Sequence, residues 1–320
     1  MSPAFRALSW AFLATVAIGA QLRTAAPAPR EYGEHETAAA PPRETAAAPL
    51  RETATTPLRE TATTPLRETA TTPLRETTAA PLREAALFGA YAPGLPYNDG
   101  AFLALERKLG GKLAIASGFV DFEYVLGEAR DVKLADGGRR TLLYSWEPHC
   151  DREGKCIAFK DVADGRLDPY LERVANSLRR FPYDIYVRPW AEMNATWSPY
   201  HPGSGQPRAG SIGEFRAAFR HLYDFFRRRG VRNLKFVFNV DVSDDPADLP
   251  FTVLWPGKDP VDGHTYVDVL GIDGYNWGNS GTQGGNVWTE FDDLFRQTYD
   301  RLTTLDASAP VWIWIWRRRR

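Results

Sequence analysis

Cysteine is scarce in this chain of 320 residues: there are two, Cys150 and Cys156. So small a number excludes a disulfide-dense scaffold. No histidine or further cysteine stands at zinc-ligand spacing beside the pair, which argues against a metal site. The two thiols read equally as a local disulfide closing a small loop and as a free pair. Charge of one sign is also missing. Lys and Arg number 39 against 40 Asp and Glu, a formal net charge of −1, so no global field favours nucleic acid or an acidic partner. The four arginines at 317–320 lack the aromatic and glycine pattern of an RNA-binding arm. A nucleotide turn is absent too. Gly89 and Gly94 do not make GxGxxG, and no P-loop occurs, so no cofactor is expected. Beyond residues 1–20 no apolar stretch approaches the length of a membrane span.

What is present divides the chain in three. Residues 1–20 read as an export signal: Arg6 gives a positive start, 7–20 is an almost unbroken apolar run, and 17–20 offers small residues for cleavage. An uncleaved anchor is the alternative. Residues 21–85 carry an octapeptide repeat of the type PLRETATT. Its regular proline blocks a long helix, and one leucine per repeat cannot build a core. Arg and Glu balance within each repeat, so the segment reads as a soluble, extended tether. The expected location is secreted or cell-surface, with wall or membrane tethering, and the expected state is a monomer.

From residue 86 strand-like and helix-like patterns alternate. Strands are expected over 86–91, 112–119, 141–146, 184–187, 234–240, 266–272 and 311–316. Helices are expected over 98–109, 122–129, 168–180, 211–229 and 289–305. The helix at 211–229 is the clearest, with Ser211 and Glu214 as a capping box and Phe215, Phe219, Leu222 and Phe226 as a stripe. Alternating buried-type strands and helices argue for a parallel sheet. Seven strands over 86–320 fit a (β/α)8 TIM barrel, incomplete at its C-terminus, better than a doubly wound sheet. In a barrel the reactive groups stand at the carboxyl ends of strands.

The strand ends here carry chemistry. Arg188-Pro189-Trp190-Ala191-Glu192-Met193-Asn194 ends one run in a carboxylate beside an amide, an arginine and an indole. Ser145-Trp146-Glu147-Pro148 ends another. Gly89-Ala90-Tyr91-Ala92-Pro93-Gly94 follows the first, and Trp255-Pro256-Gly257 leads to the run from Tyr266 through Asp273, Tyr275 and Asn276. Ten tryptophans in the chain fit stacking platforms for sugar faces as well as a large core. Taken together these segments resemble glycoside hydrolase family 26, the β-mannanase-like retaining enzymes built on a (β/α)8 barrel.

The resemblance implies hydrolysis of a β-linked polysaccharide, endo-β-1,4-mannanase-like, with Glu192 as general acid/base and Arg188 and Tyr275 beside it. It implies Trp146, Trp190, Asn194, Trp197 and Trp277 as substrate-binding residues. Other readings stand next to these. Glu192 could form a salt bridge with Arg188, each aromatic could pack in the core, and Asp273 could cap a loop. The sequence also departs from the family. Ala191 stands where a histidine usually precedes the acid. Ile315 stands where the nucleophile glutamate is expected, within the Trp/Ile alternation of 312–316 that ends in arginines. The expectation is a frame that leaves the family near Ile313 or Trp314, and an open barrel with the edges of its first and seventh strands exposed. Without a nucleophile the alternative is a glycan-binding pseudoenzyme.

Overall fold

The computed structural model describes residues 16–20, 87–148, 150, 156–202, 209–243, 249–276, 278 and 288–317, with backbone alone at 16–20 and 315–317. These fall in one of the two units into which the chain divides, Met1–Leu22 with Glu84–Arg320. The octad segment and Trp277 lie outside the described residues.

Seven strands are parallel neighbours in chain order: β2 (Leu87–Tyr91), β3 (Ile115–Asp121), β4 (Thr141–Glu147), β5 (Ile185–Pro189), β6 (Leu234–Asp241), β7 (Val269–Asn276) and β8 (Val311–Arg317). They are seven of the eight parallel strands of a (β/α)8 barrel, so the barrel is incomplete as such. The eighth place is not left open. Strand β1 (Val16–Ala20) fills it and pairs antiparallel with both β2 and β8. This corrects the expectation of two exposed edges. Unpaired strand edges leave a row of backbone donors and acceptors unmet, and β1 satisfies both rows at once.

The helices cover the ring from outside. They are α1 (Gly100–Leu109), α2 (Ala129–Leu134), α3 (Phe159–Ala163), α4 (Asp168–Leu178), α5 (Ile212–Arg228) and α6 (Phe291–Leu305). The Ser211–Glu214 capping box starts α5. Phe219 then packs on Phe236 and Phe238 of β6 at ring-centre distances of 6.0 and 6.4 Å. The helix expected over 122–129 instead begins at Ala129. Gly127 takes φ of +84°, and its N–H donates to buried Asp131, which also receives the hydroxyls of Tyr124 and Tyr144. That network uses the backbone a helix would need. Leu109 at the end of α1 is exposed, where Gly110 ends the helix in a left-handed turn.

Period-two alternation along each strand separates two cores. Phe236, Phe238, Tyr144 and Trp146 face the helices. Ile115, Leu143, Val237, Val269, Trp312 and Trp314 fill the barrel interior. Trp314 needs Gly271 opposite: a Cβ there would stand 2.8 Å from its ring and 2.7 Å from Asn239 Oδ1. Within the Trp/Ile alternation of β8 the indoles of Trp312 and Trp314 therefore turn inward, while Ile313 packs against the helix-side core.

Candidate active site

Above the apolar interior layer the inward positions become polar. On β4 the inward face runs Leu143, Ser145, Glu147; on β6, Val237, Asn239, Asp241; on β7, Gly271, Asp273, Tyr275. Arg188 of β5 joins them. Its Nε donates to Ser145 Oγ at 2.7 Å, and its Nη1 reaches Asn239 Oδ1 at 3.1 Å and both oxygens of Asp273 at 2.8 and 2.9 Å. The guanidinium lies over the Trp314 ring, 5.1 Å from its centre. Its ion pair is with Asp273, not with Glu192, so the salt-bridge reading of Glu192 is corrected. Asp273 is correspondingly a strand residue of the site rather than a loop cap. Burial pushes the Asp273 carboxyl up, and Arg188 opposes it.

Glu192 follows β5 at the carboxyl rim. Trp190 and Glu192 take φ of +50° and +56°, in the left-handed region that L residues seldom occupy. The reversal turns the Trp190 side chain outward onto Phe159 and Phe215 and leaves the Glu192 carboxyl in the site. There Oε1 accepts from the Tyr275 hydroxyl and Oε2 from the Trp197 indole, both at 3.1 Å. Glu192 N–H is anchored on Asn239 O. Burial raises the Tyr275 phenol, with the charges of Glu192 and Asp273 adding to it, so it stays a donor.

The structure therefore brings Arg188, Glu192, Tyr275 and Trp197 together. Trp197 is 58% exposed and free to meet a ligand. Three other expected contacts are corrected. Trp146 and Trp190 are both 0% exposed and present no face to a sugar. Trp146 donates its Nε1–H to Tyr170 in the helix-side core, because its strand position faces away from the interior. Asn194 is fully buried and spends its amide within the protein: Nδ2 donates to Asp241 O and Ser243 O, and Oδ1 accepts from Asp241 N–H. It clamps the Glu192 loop to β6. Ile315, at the expected nucleophile position, pairs through its backbone with Gly274.

Sequence reasoning missed two carboxyls, Glu147 and Asp241. Burial pushes Glu147 up to about 7, with Arg188 lowering it and the Glu192 charge raising it. Burial likewise pushes Asp241 up to about 6, opposed by its hydrogen bonds from Ser243 and reinforced by Glu192. Asp241 Oδ2 has no hydrogen-bond partner among the described residues. The signal was available: both are acidic residues in phase with apolar inward positions at strand ends. Cys150 and Cys156 form a disulfide just past Glu147. Tyr200 joins this loop to the Glu192 loop by donating its hydroxyl to Pro148 O at 2.7 Å.

Comparison with known proteins bears on the same stretch. A sequence model described as glycosyl hydrolase family 26 matches residues 155–287. Endoglucanase H of Acetivibrio thermocellus is 31% identical over 218 residues, which are 67% of this chain and 22% of that protein. The chain thus spans about a fifth of that relative's length. Among solved structures, a GH26 β-mannanase from Bacteroides ovatus matches at 18% identity and TM-score 0.44, covering 65% of this chain and 63% of its own. The endo-β-1,4-mannanase catalytic domain of Bacillus sp. JAMB-750 matches at 17% identity and TM-score 0.39, over 54% and 50% of the two chains. The matched sequence segment runs through Arg188, Glu192, Asp241 and Asp273, the residues the fold gathers at one rim, and over that segment the chain is similar to glycosyl hydrolase family 26.

Proposed function

We propose that this barrel hydrolyses O-glycosidic bonds in a β-linked polysaccharide, with Glu192 as the general acid and then base of a retaining double displacement. The reading rests on one observation: the Glu192 carboxyl stands at the carboxyl rim of the strands, beside an exposed indole that can lie against a pyranose. Glu192 protonates the leaving oxygen; after the first half-reaction it takes a proton from water. Such a mechanism also needs a carboxylate nucleophile about 5–5.5 Å from the acid. Mannan is the substrate that the strand-end motifs support, with an endo-β-1,4 mode. A β-glucan is the second candidate, supported by the name of the Acetivibrio relative. We place the protein outside the cell, tethered by its octads.

Ile315 supports a second reading, a glycan-binding pseudoenzyme without turnover. Reducing-sugar release from mannan, xylan and mixed-linkage glucan separates the two. Hydrolysis that Glu192→Gln lowers by about a thousandfold or more supports the enzyme. Binding without release in the wild type supports the pseudoenzyme.

A further inference from the structure

We propose that Trp288 is a second stacking platform for a neutral, β-linked glycan chain, set across the Glu192 carboxyl from Trp197. The inference rests on the glycosidase reading for the site it extends, and its test does not depend on turnover. An indole left half in water gives up much of the burial that tryptophan usually finds, so an exposed one at the rim of a site calls for a ligand. Among the described side chains two tryptophans are exposed, Trp197 at 58% and Trp288 at 50%. Trp197 touches Glu192 directly through its Nε1–H.

A line of contacts carries Trp288 to the same carboxyl from the other side. Glu192 Oε1 accepts from the Tyr275 hydroxyl at 3.1 Å, and Asn276 follows Tyr275 at the end of β7. The Asn276 amide then ties the rim together. Its Nδ2 donates to Thr289 O, and its Oδ1 accepts from Gly278 N–H at 3.2 Å and from Thr289 N–H at 3.4 Å. Trp288 is the residue before Thr289, so this amide fixes its backbone beside the end of β7. The ring is held as well. Its Nε1–H donates to Glu290 Oε1 at 2.9 Å, and it borders the Gly278 turn, where a Cβ would stand 3.8 Å from it. Helix α6 begins at Phe291. The carboxyl thus has an indole beyond each of its oxygens, Trp197 directly at Oε2 and Trp288 by way of Tyr275 and Asn276 at Oε1. A linear polysaccharide laid over Glu192 meets both, and the apolar C–H faces of its pyranoses suit indole rings. Platforms on both sides of the acid fit attack within a chain rather than at its end. Glu290, Asp292 and Asp293 follow Trp288 in the chain, with Arg296 paired to Asp292. This acidic border disfavours a uronate chain, because like charges brought together oppose binding.

Oxidation of the full chain by N-bromosuccinimide, read at each tryptophan by mass spectrometry, tests this with and without β-1,4-mannohexaose or cellohexaose. Glu192→Gln protein keeps the sugar from being consumed. The expected result is that one of the two sugars slows oxidation of Trp288 severalfold, together with that of Trp197, and that polygalacturonate does not. In binding titrations of the same protein, Trp288→Ala should weaken hexaose affinity by about tenfold, with Trp288→Phe in between. In hydrolysis, Trp288→Ala should raise KM more than it lowers kcat, whereas Trp197→Ala, which also strips Glu192 of a donor, should lower kcat. Equal oxidation of Trp288 with and without both sugars overturns the platform, as does unchanged hexaose affinity in a folded Trp288→Ala. Equal protection by polygalacturonate overturns the neutral chain. The footprint needs no substitution at position 288, so a variant that fails to fold does not decide the matter. Hydrolysis of mannan without protection of Trp288 overturns this inference and leaves the proposed function standing; protection without hydrolysis by the wild type does the reverse.

Discussion

Tyr275 and Glu192, 83 positions apart in the chain, meet through the tyrosine hydroxyl and Oε1 at 3.1 Å. The contact closes the site between β5 and β7, on opposite flanks of β6. It is possible because the chain reverses at Glu192 and because β7 runs on through Tyr275 before it ends.

Tyr275→Phe should keep the ring and lose the donor. A hydrogen bond to a charged group contributes about 1.5–3 kcal/mol, so hydrolysis should fall by about tenfold to a hundredfold. The thermal midpoint should move little. Unchanged kcat with a raised KM would show that the hydroxyl acts on sugar binding instead.

Arg188 and Asp273 are 3% and 2% exposed, so breaking their pair strands a charge. Arg188→Ala and Asp273→Ala should each destabilise the barrel by about 3–5 kcal/mol in urea unfolding. The double variant should lose clearly less than the two singles added together. Strict additivity would mean that the pair is not coupled.

Asp241 gives a stability that depends on pH. Burial lifts its carboxyl to about 6 in the folded barrel, against about 3.9 in an unfolded chain. The folded state therefore holds the proton more tightly. That stabilisation is complete below about pH 4 and is lost as pH rises through 6. Asp241→Asn does not ionise, so it should gain on the wild type between pH 4 and pH 8 by on the order of 2–3 kcal/mol. Urea midpoints across that range check it, and a difference independent of pH would sink the assignment.

The Cys150–Cys156 disulfide closes a short loop, so its chain-entropy contribution is about 2 kcal/mol. Its larger effect should be on the loop that Tyr200 ties to the Glu192 loop. The Cys150→Ser, Cys156→Ser double variant should lose several-fold in kcat/KM on the best substrate with a modest fall in thermal stability. Dithiothreitol treatment of the wild type should reproduce both effects.

Much of the fold was legible because buried strands announce themselves as apolar runs. All seven expected strands are present with small shifts at their ends. The capping box and stripe of α5 fixed that helix from the residues alone. The short α3 carried too little pattern to find, and β1 lies within the apolar segment that also reads as an export signal. In the site, Glu192 and Arg188 were visible through their motif. Asp273 was visible as a residue but not as Arg188's partner, since that contact is set by the register of β7 against β6. Trp146 and Trp190 were misplaced for a related reason. A tryptophan at a strand end can face either core, and the side is decided by strand phase for one and by a left-handed backbone for the other.

That left-handed backbone at Glu192 sets two demands on the protein against each other. Glycine would adopt the same bend freely, and relief of the strain would favour the folded chain by about 1 kcal/mol. It would also erase the acid. Durability and reactivity thus compete at a single position, and a screen for a hardier barrel that never sees sugar would be drawn toward replacing the very group the site is built around.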